Sequence, residues 1–141
     1  TTGPEIWKDT DGKITHFVSS MGTTGTIMGC SKFLKEKNNQ VRIIGVQPEE
    51  GSRIPGIRKW SPEFLPAIYD PEKVDEIRLV NRDQASKMAR RMAQDWGVFS
   101  GMSAGGAGFK ALQLAEQQEG PACIVFIVCD RGDRYLSSDL F

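Results

Sequence analysis

The five residues Gly22, Thr23, Thr24, Gly25 and Thr26 form the segment of the sequence best suited to chemistry. They follow a run typical of a β-strand and precede a helical pattern, so they lie where a helix begins. The first amides of a helix have no backbone acceptor, and the helix dipole places partial positive charge there. Because glycine permits close approach and threonine adds hydroxyl donors, the segment predicts a phosphate-binding turn.

Two interpretations of this segment remain open from its residues alone. It contains no lysine and does not match the G-x-x-x-x-G-K-[ST] pattern, which disfavours a nucleoside triphosphate with Mg²⁺. The alternative to a phosphate site is a tight strand-to-helix turn in which a threonine caps the helix.

Two further segments carry polar residues next to predicted elements. Ser103 lies in a glycine-rich cluster that precedes a helical pattern, where it could be a ligand or simply a helix cap. Cys129 and Asp130 end a long apolar run. Ligands of open parallel sheets bind outside the carboxyl ends of the strands. We therefore expect all three segments to meet at one edge of the sheet.

The elements that must position these residues alternate between strands and helices. Strands are predicted at 13–20, 41–48, 74–81 and 122–130, and helices after the first glycine turn, over 85–96 and after the second glycine cluster. Such alternation predicts an α/β fold with a mainly parallel, twisted sheet and helices on both faces. The last run is continuously apolar, which predicts a central strand. The opening segment TTGPEIW shows no starting element.

Composition narrows the functional classes. The 141 residues include 18 basic and 18 acidic side chains, which gives no electrostatic case for nucleic acid or an anionic membrane. The sequence has no apolar run of transmembrane length. One histidine and three scattered cysteines predict no metal site and no disulfide framework, and a reducing cytoplasm is expected.

Four segments, in order, resemble one enzyme family: GTTGT after FVSSM, IIGVQPEEGSRIPGIRKW, GVFSGMSAGGA and CDRGDRYLS. Together they are similar to the cysteine synthase family, whose members are pyridoxal-phosphate (PLP) enzymes of fold type II. The last segment resembles the B branch of that family, also described as the O-acetylserine sulfhydrylase B branch. The resemblance extends over essentially the whole chain.

The resemblance implies a role for each matching position. Residues 22–26 match the loop that holds the PLP phosphate, and Ser103 matches the serine that hydrogen-bonds the pyridine nitrogen. Arg58 matches a mobile-loop arginine linked to substrate recognition. Cys129 and Asp130 match the pocket that accommodates larger anionic sulfur donors. One departure is that Ala104 follows Ser103, where family members often carry a second serine or a glycine.

The resemblance also implies what this chain lacks. The lysine that bonds PLP and the loop that binds the substrate carboxylate belong to the amino-terminal half of the family's chain. None of the nine lysines present lies in a matching context. Residues 1–141 are therefore expected to be the carboxy-terminal part of the PLP-binding domain, with no catalytic residue in the chain and no activity of the fragment alone.

The resemblance gives the full-length enzyme a reaction, β-replacement on O-acetyl-L-serine. Sulfide would yield L-cysteine and thiosulfate would yield S-sulfocysteine, in a cytoplasmic homodimer. Two alternatives stay open. One is another β-replacement enzyme, such as a cystathionine β-synthase-like protein. The other is a non-catalytic phosphate-binding α/β module.

Overall fold

Four parallel strands form the centre of the molecule. The computed structural model describes all 141 residues. The strands are β1 (His16–Ser20), β2 (Arg42–Pro48), β3 (Glu76–Val80) and β4 (Ile124–Phe126), in the order β3-β2-β1-β4. Val18 of β1 lies opposite Ile44 of β2 on one side and Phe126 of β4 on the other. The predicted parallel α/β sheet is confirmed.

Helices cover both faces of the sheet. They are α1 (Thr2–Asp9), α2 (Gly25–Lys37), α3 (Arg82–Trp96) and α4 (Met102–Gln117), with short 3₁₀ turns at Pro62–Phe64, Pro71–Lys73 and Gly132–Tyr135. Alternate residues of a strand point to opposite faces. Phe17 accordingly packs in the core beneath α1 and α2, while Val18 packs in the core beneath α3 and α4.

The expectation that the opening segment contains no element is wrong, because α1 begins at Thr2. The helix carries Pro4 in its first turn and Lys8 in its last, both of which suit those helix ends. Ile6 and Trp7 pack against the core beneath α2. A Cβ atom at Gly3 would lie 3.0 Å from the Phe33 side chain, so glycine lets α1 approach α2 closely.

The expectation of a central last strand is also wrong. β4 covers only three residues and pairs with β1 alone, so it forms an edge of the sheet. Its apolar sequence has a different cause: Ile124 and Phe126 pack against one core, while Val125 and Ile127 pack against the other. Both faces of the strand are covered, but its outer edge carries no partner strand.

The pair α3 and α4 brings the second glycine cluster to the sheet edge. The predicted capping box is present, because Asn81 and Gln84 bond each other's backbone at the start of α3. Gly97 ends this helix with φ +68°. Residues 97–101 then return the chain, so that Met102 lies beside Ser86 in the second turn of α3. α4 thus starts near the carboxyl ends of the strands. None of the helices has the length and apolarity needed to cross a membrane.

Candidate cofactor site

The segment 22–26 forms a tight connection between β1 and α2. Thr24 immediately precedes the helix and adopts φ +67° and ψ 0°, a left-handed conformation that is uncommon for a β-branched residue. No side chain caps α2, so the interpretation of this segment as a threonine-capped turn is wrong. Backbone strain of this kind is typical of ligand-binding segments.

The hydroxyl of Thr24 is buried and has no hydrogen-bond partner in the chain. The residue is 4% exposed, and its Oγ1 atom is one of two buried side-chain oxygens or nitrogens without a partner. Buried polar groups are almost always satisfied in folded proteins. The first amides of α2 also lack acceptors within the helix. This set of donors therefore fits an anionic group bound at the segment.

A cavity of about 320 Å³ lies directly against these donors. It is lined by residues from the end of β1, the start of α2, the loop after β2 and the segment after β4: Ser20, Gly22, Thr23, Thr24, Thr26, Ile27, Gly56, Arg58, Trp60 and Cys129. No lysine is among them. The residues present fit the phosphate end of PLP, since hydroxyl and amide donors face the space and Arg58 is the only charged residue that lines it.

Ser103 lies behind this cavity and does not cap α4. The cap position is occupied by Gly101, and Ser103 is inside the first turn, only 3% exposed. The interpretation of Ser103 as a helix cap is therefore wrong. The Ser20 hydroxyl donates to the Ser103 carbonyl oxygen over 2.7 Å, which joins the end of β1 to the start of α4. Sequence reasoning missed Ser20, although it lies two residues before Gly22, the first residue of the predicted phosphate segment.

The loop after β2 packs onto the phosphate segment. The Arg58 amide donates to the Met21 carbonyl over 2.8 Å, and the Trp60 indole N–H donates to the Gly22 carbonyl over 2.7 Å. Gly56 adopts φ +85°, and a Cβ atom there would lie 3.2 Å from the Ser103 side chain. Because a larger residue at position 56 would be strained and crowded, glycine keeps this loop close to α4.

The predicted donor-binding residue Arg58 lines the cavity. Its guanidinium carbon is 5.4 Å from the centre of the Trp60 ring, within the range of a cation–π contact. Trp60 was not predicted as a site residue. Trp60 lies only two residues from Arg58, which could have indicated that both side chains reach the same site. The path of the loop that brings them to the cavity depends on tertiary contacts.

The structure separates the predicted pair Cys129 and Asp130. Cys129 lines the cavity, whereas the Asp130 carboxylate accepts the Gly101 amide N–H over 3.2 Å and the hydroxyl of Tyr135. Desolvation by the surrounding protein raises the pKa of the Cys129 thiol, a hydrogen bond with Ser103 lowers it, and the Asp130 charge raises it further. The net upward shift keeps the thiol neutral at pH 7.

Titratable side chains are otherwise sparse around the cavity. No group of three or more His, Cys, Asp or Glu residues in the structure is arranged to hold a metal ion. The single histidine, His16, is in β1 and hydrogen-bonds Thr15, and burial together with Arg42 lowers its pKa. The cavity therefore offers a ligand neutral donors and one arginine.

The family model described as pyridoxal-phosphate dependent enzyme matches residues 1–130. With the phosphate-type donors and the cavity at the sheet edge, this match defines the class: the chain belongs to the family of pyridoxal-phosphate dependent enzymes. Members of this family use PLP as their cofactor.

Within that family the chain is similar in sequence to proteins named cysteine synthase B. It is 56% identical over 141 residues to the Pseudomonas aeruginosa protein and 53% identical to the Escherichia coli protein, covering 100% of this chain and 47% and 46% of theirs. A solved structure of cysteine synthase from Entamoeba histolytica has a TM-score of 0.90 and 40% identity, covering 99% of this chain and 44% of that one. The chain thus spans about half the length of the relatives it matches.

Proposed function

We propose that this chain supplies the cofactor-binding half of a PLP-dependent cysteine synthase of the B type. The observation that carries the proposal is the buried, unpartnered Thr24 hydroxyl at the start of α2, beside a cavity whose lining residues Ser20 and Gly56 adjoin Ser103. The similarity to proteins named cysteine synthase B over the full chain supports the same assignment.

In this proposal residues 22–26 hold the PLP phosphate and Ser103 lies beside the pyridine nitrogen. When bound, PLP withdraws electrons from the α-carbon of an amino acid substrate and so permits exchange of a group on the β-carbon. The Ser103 hydroxyl is neutral, so in this proposal it forms a hydrogen bond with the nitrogen and places no formal charge beside it. That leaves the ring a weaker electron acceptor, which favours elimination of the β-substituent over transamination.

The proposed substrates are O-acetyl-L-serine and either sulfide or thiosulfate. Arg58 supports recognition of an anionic sulfur donor, because it lines the cavity and its guanidinium lies over the Trp60 ring. The neutral Cys129 thiol adds a polar wall without repelling an anion. Asp130 contributes indirectly, since its carboxylate is directed to Gly101 and Tyr135.

The proposal assigns the catalytic lysine to a part of the enzyme outside residues 1–141. None of the lysines of the chain lines the cavity, and none matches the family's PLP-bearing segment. We accordingly propose that these residues are the carboxy-terminal part of the PLP domain, that the fragment alone is inactive, and that the full-length enzyme is a cytoplasmic homodimer. The three cysteines are all free, in keeping with a reducing compartment.

The experiment that tests the function uses the full-length protein. PLP binding is followed by the absorbance of the bound cofactor, and product formation is then measured with O-acetyl-L-serine and each sulfur donor. Cofactor binding together with cysteine or S-sulfocysteine formation is expected. Failure to bind PLP would show a non-catalytic phosphate-binding module instead. PLP binding with turnover of only other β-substituted amino acids would favour a different β-replacement enzyme.

A further inference from the structure

Asp130 joins two segments that lie next to the proposed cofactor site. One carboxylate oxygen accepts the Gly101 amide N–H over 3.2 Å, and the other accepts the Tyr135 hydroxyl. Gly101 immediately precedes α4, while Tyr135 ends the 3₁₀ turn that follows β4. A single carboxylate thereby connects the start of one helix to the segment after the edge strand.

The approach of these segments requires a glycine at position 101. A Cβ atom there would lie 2.5 Å from both Asp130 Oδ1 and the Tyr135 ring, too close for any side chain. Backbone contacts reinforce the junction: Ser100 and Arg131 form an antiparallel bridge, and the Gly132 amide donates to the Phe99 carbonyl over 3.1 Å. The carboxylate thus bridges a close and specific contact.

The Tyr135 hydroxyl is a permanent donor to this carboxylate. Burial and the neighbouring Asp130 charge raise the pKa of Tyr135 to about 12, so the phenol keeps its proton at every physiological pH. A hydrogen bond to an ionised acceptor is stronger than one between neutral groups. The Tyr135 phenol therefore remains a hydrogen-bond donor to this carboxylate at physiological pH.

Two proposed site residues lie within two positions of the junction along the chain. Cys129 directly precedes Asp130 and lines the cavity, and Ser103 lies two residues after Gly101 in the first turn of α4. The Ser103 hydroxyl also lowers the pKa of the Cys129 thiol, so the two side chains lie close enough to influence each other. A shift of either segment at the junction changes the distance between them.

We propose that Tyr135 is a positioning residue of the cofactor site. Through its hydrogen bond to Asp130, it holds the segment bearing Cys129 against the first turn of α4 and so fixes Ser103 and Cys129 relative to each other. Tyr135 itself does not touch the cavity. This inference rests on the proposed function, because it assigns Ser103 to the pyridine side of bound PLP.

The test compares two single-hydroxyl removals in the full-length protein. Tyr135→Phe removes the donor, while Tyr69→Phe is the matched control at the only other tyrosine of this chain. PLP affinity and the absorbance and emission of the bound cofactor at saturation are measured. Tyr135→Phe is expected to change the spectrum and to weaken PLP binding by roughly threefold to tenfold, the effect of one modest hydrogen bond. Tyr69→Phe is expected to match the unmodified protein.

A second pair of variants separates positioning from general stability. Asp130→Asn keeps one of the two accepting oxygens and replaces the other with an NH2 group, so it is expected to change the cofactor spectrum less than Asp130→Ala. Asp130→Ala is expected to reproduce the change seen with Tyr135→Phe. Equal spectra for these two Asp130 variants overturn the inference, as does a Tyr135→Phe protein indistinguishable from the Tyr69→Phe control. If the unmodified protein binds no PLP, the proposed function itself fails and the inference falls with it.

Discussion

Trp60 is hydrogen-bonded to Gly22 through its indole N–H, which donates to the glycine carbonyl over 2.7 Å. The loop that carries Arg58 is thereby attached to the first residue of the proposed phosphate segment. Gly56, in the same loop, also contacts the first turn of α4. We therefore expect movement of this loop to be coupled to occupation of the phosphate segment in the proposed enzyme.

Replacing Trp60 with phenylalanine should weaken this coupling. The variant keeps an aromatic ring beside Arg58 but loses the donor to Gly22, so we expect PLP affinity to fall about fivefold, as for one lost hydrogen bond. Fluorescence titration of the full-length protein with PLP measures the change. Trp96→Phe is the control, because Trp96 is 55% exposed and lies away from the cavity. Equal affinities of the two variants would contradict the coupling.

Removing the Thr24 hydroxyl should have opposite effects without and with cofactor. In the cofactor-free protein the buried Thr24 hydroxyl has no hydrogen-bond partner, and such an unsatisfied group destabilises the fold by about 1–3 kcal/mol. Thr24→Ala removes this group, so Tm is expected to stay equal or rise. With PLP present, a donor to the phosphate is lost and the stabilisation by PLP should shrink.

Melting curves of the full-length protein at several PLP concentrations distinguish these effects for Thr24→Ala. The double variant Thr23→Ala, Thr24→Ala is expected to retain still less cofactor. Unchanged PLP affinity in the double variant would count against the assignment of residues 22–26 to the phosphate.

Ser103 and Asp130 should have opposite effects on the reactivity of the Cys129 thiol. The Ser103 hydrogen bond lowers the pKa of this thiol and the Asp130 charge raises it. Thiolate is the reactive form. Ser103→Ala should therefore shift the alkylation profile of Cys129 to higher pH, and Asp130→Asn should shift it to lower pH. Site-resolved mass spectrometry measures both, with Cys30, which is buried, as the internal comparison. Shifts in the same direction would refute this account.

Much of the site was predictable because it rests on local patterns. The strand, the glycine-threonine turn and the helix after it are adjacent in the chain, and the parallel fold brings the later segments to the same edge. The left-handed conformation of Thr24 and the place of Ser103 inside a helix turn were not readable, since glycine-rich segments allow several starts for a helix. Trp60 and Tyr135 act across loops whose paths only tertiary packing defines. β4 was predicted to be a central strand because its sequence is apolar. An apolar run indicates that both faces of a strand are covered, but it does not indicate whether both edges pair with neighbouring strands.

Acid should remove the stabilising contribution of the Asp75 carboxylate. The Asp75 carboxylate accepts from the Ile43 amide and from Lys35, each over 2.7 Å. Desolvation raises the pKa of Asp75, but these partners outweigh it and the net shift is downward. A depressed carboxyl pKa stabilises the fold above the ordinary pKa of aspartate, and the contribution disappears as pH falls through the folded value.

Asp75→Asn should accordingly lower the free energy of unfolding at pH 7 by about 1 kcal/mol, the typical scale of such partly exposed contacts. The difference from the unmodified protein should shrink as the pH is lowered from 7 to a strongly acidic value, through the depressed folded-state pKa of Asp75, and it should vanish once the aspartate is protonated in both states. Urea melts of the full-length protein at both pH values test this, with Glu72→Gln at an exposed position as control. A difference that persists in acid would show that the aspartate acts through packing alone.

The unpaired side of β4 has a practical consequence for work on residues 1–141. Along this side the backbone offers free hydrogen-bond donors and acceptors, and beside it lies a groove of about 400 Å³ in which nine of the ten lining residues are hydrophobic. An open strand edge next to an apolar surface templates sheet extension between molecules. Expressed by itself, this polypeptide should self-associate. Its solubility should improve when another strand pairs with the open edge of β4.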